Sequence, residues 1–380
     1  MLKFIRISTL YPPVAKLVNN KISKKKNLTY NELLREVFSF GFGENNNITK
    51  ELSRKKYKCM EIIANVKLLQ QSWSKQYSKI NNKNIIFEQI CFYKSNIIYF
   101  GNYSLLNIKL INQIRKLNHV KLIIVFHCSP ITPNIEKKLK LADLVITCTE
   151  GYKKIIERKI KNKTYQISHA FNATSKNIKN FEKRKIDIAF IGSLYIKSGL
   201  HVNRINLIYH LLKNFKNSYI AINFSIKNII NFFGFAIFFN LRCTFSEKLN
   251  IIFKTIYIII FSKKPVYGNQ MLEILSNTKI LINSHIEDTK YAGNMRLFEG
   301  TGMGCMVLTD KKRSLNKLFS PKQEIVIYHS ITDMINKIKY YLANKKKLSQ
   351  IANKGFLKTI KDHNYKKRIL ILDKLINKNL

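Results

Sequence analysis

The sequence predicts an α/β protein built from two doubly wound domains, and three observations carry that expectation. Short β-rich runs alternate with helix-length segments, a pattern that pairs strands in parallel and lays helices on the sheet faces. The alternation stops at a polar, unpatterned stretch, "HAFNATSKNIKN" (169–180), and then restarts. The length, 380 residues, is more than one hydrophobic core usually holds.

Taken in order, the first strand is "KFIRIS" (3–8). A capping box, Thr29-x-x-Glu32, opens a helix before "LLREVFSF". Further helical patterns fall at about 62–80, 104–117 and 150–160. Strands are expected at 96–101, 121–127, 144–149 and 164–168. The restart is "KIDIAFIGS" (185–193), an apolar strand ending in Gly-Ser, followed by a helix at about 201–215. Then come a helix at "NQMLEILSNT", strands at 279–284 and 324–328, and three helices to the end. The expected division is 1–168, a linker 169–184, and 185–380, with the last helix left open to cross back to the first domain. No internal repeat is visible. Residues 216–265 are the hard segment, because the apolar runs 229–239 and 251–261 fit buried strand or helix and also fit a surface resting on lipid.

Composition narrows the function classes. A hydrophobic fraction of 46% with only 13 glycines and 6 prolines indicates a packed chain rather than a disordered one. The formal charge of +45 would suit a polyanion. It is spread along the whole chain, however, as the Lys, Asn and Ile codons of an AT-rich genome would spread it, and no basic module with interleaved aromatics stands out. A specific nucleic-acid partner is therefore not expected, whereas peripheral contact with an anionic membrane stays open. The six cysteines are scattered without metal-ligand spacing and read as free thiols in a reducing compartment. The N-terminus reads as a strand rather than a signal peptide, and no apolar run reaches the ~18 residues a bilayer span needs. The expected location is the cytoplasm, or the inner face of the membrane.

The stretch "GNMRLFEGTGMGCMVLTD" (293–310) concentrates the chemistry. Asn294 suits a helix cap, and Met295, Phe298, Gly302 and Cys305 follow helical spacing toward a core. Such a helix starts just beyond the carboxyl end of a parallel strand, where open α/β sheets bind ligands. Arg296 in its first turn opposes the helix dipole, and a bound phosphate would relieve that conflict, with Lys290 nearby. Glu299, set between core positions, needs hydrogen-bond donors, and a ribose diol would supply two. Pairing of Glu299 with one of the many lysines, and glycines that serve only helix–sheet packing, are the competing explanations.

"YAGNMRLFEGTGMGCMVLTD", "LFSPKQEIVIYHS", "MINKIKYYLANKKKLSQIANKG" and "KDHNYKKRI" together resemble, in order, the C-terminal domain of CgeB-like (spore-protein type) glycosyltransferases, relatives of the group 1 enzymes. "DIAFIGSLY" with "HVNRINLI", and "FHCSP", "LADLVITCTEGYKK" and "ISHAFN", are looser matches upstream. The resemblance implies a GT-B fold, two Rossmann-like domains facing across a cleft. It implies transfer of a sugar from a nucleotide sugar to a hydroxyl acceptor on a glycan, lipid-linked sugar, protein or small molecule. By position, Glu299 matches the family's ribose-binding glutamate, and Asn294 with Arg296 matches its N-x-R-x-x-E core, preceded by Gly293. Gly192 and Ser193 match the loop that approaches the diphosphate, and Arg204 is the expected phosphate partner. The second glutamate that group 1 enzymes often carry eight residues earlier is replaced here by Tyr291, with Glu287 and Asp288 a little upstream.

No Asp-x-Asp occurs, so no metal and no other cofactor is expected; basic groups and helix N-termini would stabilise the leaving diphosphate. His127, at the end of the apolar strand "KLIIVF", is the candidate base on the acceptor side, and His285 a candidate beside the donor. His169 reads as a hinge residue and His363 as packing between helices. The alternatives are a non-catalytic basic protein that binds polyanions or membranes on the same scaffold, and an epimerase that shares the donor glutamate.

Overall fold

The computed structural model describes residues 1–25, 27–78, 84–172, 178–194, 202–223, 244–286 and 290–380. The chain divides into two compact units, Met1–His169 with Tyr365–Leu380, and Ala170–Asn364.

Among the described residues the first unit holds six strands, β1 Leu2–Ser8, β2 Tyr57–Ile63, β3 Ile97–Phe100, β4 Leu122–Phe126, β5 Leu144–Thr147 and β6 Lys163–Gln166. They form one parallel sheet in the order β2-β1-β3-β4-β5-β6. The expected capping box is present: the Thr29 side chain accepts from the Glu32 amide while Glu32 accepts from the Thr29 amide. β2 was not expected, and its end overlaps the helix expected at about 62–80, which runs from Lys67 to Tyr77. The interior of β2 carries Glu61, whose charge hides the strand. Glu61 lies in register with Arg6 of β1, and Arg6 Nη1 reaches it at 3.3 Å. Thr49 Oγ1 donates to Glu61 at 2.7 Å and Arg6 Nη2 donates to Glu44 at 2.9 Å. A buried charge is tolerable only when paired and hydrogen-bonded in this way. The C-terminal helix Tyr365–Asn379 belongs to this unit, and Asp373 on it accepts from the Tyr57 hydroxyl at 2.7 Å.

The second unit holds β7 Ile186–Ser193, β8 Ser218–Asn223, β9 Thr278–Asn283, β10 Met306–Asp310 and β11 Val326–Tyr328, again all parallel, in the order β11-β10-β9-β7-β8. β7 therefore has its successor β8 on one side and β9 on the other. That reversal is a topological switch point, and the crevice outside the strand ends there is where such sheets bind ligands. Within the hard segment, β8 and a helix, Phe245–Phe261, are resolved into elements, while the apolar run 229–239 lies outside the described residues. Among the described residues, no helix is long and apolar enough to cross a membrane.

Candidate functional site

The helix that follows β9, Met295–Gly302, begins where the sequence placed it, at Asn294, but Asn294 does not cap it with its side chain. Its amide instead pairs reciprocally with that of Asn283 at the end of β9, at 2.8 and 3.2 Å, and Asn283 also donates to Thr309 of β10 at 3.0 Å. The helix N-terminus is thus tied to the strand ends by side-chain amides rather than closed by an oxygen of its own.

Glu299 is buried at 7% exposure, and its donor is Arg296, one turn back, at 2.6 Å. Arg296 Nε also donates to the Ile191 carbonyl of β7 at 3.2 Å. The conflict between Arg296 and the helix dipole is therefore met by an (i, i+3) ion pair, without a phosphate. Nearly the whole helix is buried, Leu297 and Thr301 included, while Met295 is only half-buried; the one-faced pattern expected from the sequence was too narrow. The glycines serve packing. A Cβ on Gly300 would strike Leu281 and Val307 in the sheet beneath, and one on Gly302 would strike the Phe171 ring. What they admit is a close strand or an aromatic side chain rather than a ligand.

Gly192 and Ser193 end β7 at the switch point. Arg204, on the helix Val202–Asn214, is buried at 9% exposure and spans the same point. Its Nη1 donates to the Ser193 carbonyl at 2.8 Å and its Nη2 to the Ser284 carbonyl at 2.6 Å. Both guanidinium arms act on backbone at the ends of β7 and β9, so Arg204 holds these loops in place.

His285 is buried beyond β9. Its Nδ1–H donates to Asp310 at 2.7 Å, and its Nε2 lies 3.4 Å from the Gly293 amide nitrogen. Burial alone would raise the Asp310 carboxyl, but the hydrogen bonds and charge of His285, with a smaller part from Lys312, outweigh it and hold the carboxyl below its ordinary value. Asp310, which the sequence did not single out, is the residue that orients this histidine; its position at the carboxyl end of an apolar strand was the available signal. Tyr328, ending β11, donates from its hydroxyl to the Asn283 carbonyl at 3.1 Å. Glu287 and Asp288 lie outside the described residues.

In the first unit, His127 follows β4 and is 2% exposed. Its Nε2 lies 2.9 Å from the Ser129 carbonyl, which can only accept, so Nε2 carries the proton and Nδ1 the lone pair. Burial pushes the imidazole down to about 4, against a smaller upward pull from that carbonyl. His169 rings against Phe126, and His363 packs between Phe298 and Phe319 while its Nε2 meets the Leu318 carbonyl at 2.7 Å.

Two of the cysteines expected to be free are not. Cys128 and Cys148 are paired as a disulfide, Cα atoms 5.6 Å apart. The register explains it: Phe126 of β4 faces Ile146 of β5, so residues two further along each strand meet although 20 positions separate them in sequence. A ring nitrogen of His169 lies within 4.8 Å of both sulfurs.

Residues 253–374 match the model of a glycosyl transferase-like family. No curated protein matches the chain by sequence. Among solved structures, Anabaena HepE in complex with UDP and glucose is similar at a TM-score of 0.60 and 10% identity, over 99% of this chain and 100% of that one. Sucrose-phosphate synthase from Thermosynechococcus elongatus is similar at 0.59 and 10%, over 100% and 99%. A glycosyltransferase from Rickettsia africae is similar at 0.54 and 12%, over 99% and 98%. The fold is thus the GT-B fold, and the match to a glycosyl transferase-like family is confined to residues 253–374.

Proposed function

We propose that this chain transfers a sugar from a nucleotide-sugar donor to a hydroxyl acceptor, that it does so without a metal, and that it is of the CgeB-like type. The observation that supports this best is the convergence, at the switch point between β7 and β9, of Gly192 and Ser193 with His285, Gly293, Asn294, Arg296 and Glu299. In this reading the diphosphate meets the amino end of the helix Met295–Gly302, whose dipole and Arg296 favour negative charge as the leaving group departs. Glu299, oriented by Arg296, accepts from the ribose hydroxyls. His285, held by Asp310, acts on the donor side by steadying the Gly293 backbone, and Arg204 acts on the phosphate loop by positioning it. His127 supplies an Nδ1 lone pair on the acceptor side. Metal independence rests on the lack of Asp-x-Asp and on this cationic helix end. The basic surface, with its +45 formal charge, contacts an anionic membrane peripherally.

Calorimetry with UDP, the nucleotide held by the HepE structures, tests the donor assignment. Glu299→Gln should weaken binding by about 1.5–3 kcal/mol, the range for a hydrogen bond to a charged group. Arg296→Ala should weaken UDP more than uridine. Unchanged affinity in Glu299→Gln alongside tight wild-type binding would remove the ribose role.

A further inference from the structure

The helix Phe245–Phe261 presents an apolar stripe that nothing in its own unit covers among the described residues. Phe245, Leu249, Phe253, Ile256 and Ile260 are 77%, 50%, 58%, 42% and 66% exposed. Their spacing of four, four, three and four residues keeps them within an arc of roughly 80° on a helix turning ~100° per residue. The opposite side is anchored: Thr255 and Ile258 are buried, Tyr257 packs edge-on against Tyr209 at 5.1 Å, and Lys254 donates to Asn206 at 2.7 Å. The helix is independently started by a capping box, Thr244 with Glu247. It is therefore a fixed element whose outward face is apolar, and not a frayed end.

Charge identifies the occupant. Glu247 is the helix's one acid, against Lys248 at the side of the stripe and exposed Lys263 and Lys264 just beyond the helix, while Lys254 is turned away onto Asn206. An apolar stripe bordered by lysines suits the headgroup boundary of an anionic bilayer, where the side chains enter the acyl region and the ammonium groups meet lipid phosphates. A second copy of the same face would bring like charges together on chains that each carry +45. We infer that Phe245–Phe261 is the element by which this protein docks, in plane, on an anionic lipid surface. The inference deepens the peripheral contact proposed above and stands apart from the donor assignment.

Flotation of the full-length protein with phosphatidylcholine vesicles, and with vesicles containing phosphatidylglycerol, tests it. The wild type should float with the anionic vesicles, and Phe253→Glu/Ile260→Glu should lose about ten-fold or more of that partitioning, as loss of two inserted apolar side chains requires. Lys263→Glu/Lys264→Glu should reduce the preference for anionic over neutral vesicles. UDP affinity measured on the same proteins without lipid should be unchanged, which separates failure of docking from failure of the donor reading or of folding. The inference is overturned if the wild type stays unbound with both vesicle types, the outcome expected if the apolar segment 229–239 covers the stripe. Equal binding by the Phe253/Ile260 variant also overturns it, as does a dimer that this variant dissociates.

Discussion

His127 shows how one buried side chain couples stability to pH. Its ring is held neutral, with a folded value of about 4 against an ordinary 6.5. Between those values the unfolded chain binds the proton and the folded chain does not, so stability rises with pH. The contribution is complete above about 6.5, is lost as pH falls toward 4, and is on the order of 3 kcal/mol. Urea unfolding at pH 7 and pH 4.5 should show the wild type losing more stability than His127→Gln; equal losses would place the ring in contact with water. Glu299 teaches a different lesson at this scale. Its burial and its need for donors were legible from its place between core positions. Its partner was not, because Arg296 read as a ligand for something outside the chain.

At the scale of elements, the helix Met295–Gly302 is glycine-rich because the sheet lies so close beneath it. Gly300→Ala gains roughly 1 kcal/mol of helix propensity. The added methyl then meets Leu281 and Val307, both fully buried and with nowhere to go, and overpacking of that kind costs about 1–3 kcal/mol. A net loss of stability is expected in chemical denaturation, and a gain would mean that the sheet yields. The ends of β4 and β5 carry a second test. Titration of the unfolded, unreduced protein should find four reactive thiols among the six cysteines. Reduction should lower stability by about 3 kcal/mol, as expected for a loop of this length. Six thiols would show the pair unbonded. The pairing was illegible in the sequence because register, and not spacing, brings Cys128 to Cys148.

For the molecule as a whole, ligand that binds only the folded chain raises its apparent stability by mass action. UDP at a hundred times its dissociation constant should add about 2.7 kcal/mol. A thermal scan over nucleoside diphosphates should show the shift, and Glu299→Gln should need correspondingly more nucleotide to reach it. A scan in which inorganic polyanions shift the protein as strongly as any nucleotide would favour the non-catalytic, polyanion-binding alternative. The two parallel sheets were legible from alternation alone, because strands buried on both faces read as near-continuous apolar runs. β2 escaped because Glu61 interrupts such a run, and β8 because it sits in a segment whose apolar residues fit strand, helix and lipid alike.

The sequence by itself determined the class of fold, the strands that carry the site, and the helix whose amino end meets the carboxyl edge of β9. Those follow from local periodicity, which the chain states residue by residue. Only the tertiary structure decided which polar groups meet: Asn294 with Asn283, Arg296 with Glu299, His285 with Asp310, and Arg204 with the carbonyls of two strand ends. The partners that join different elements are set by strand order and register, whereas Arg296 and Glu299 meet within one turn of a single helix.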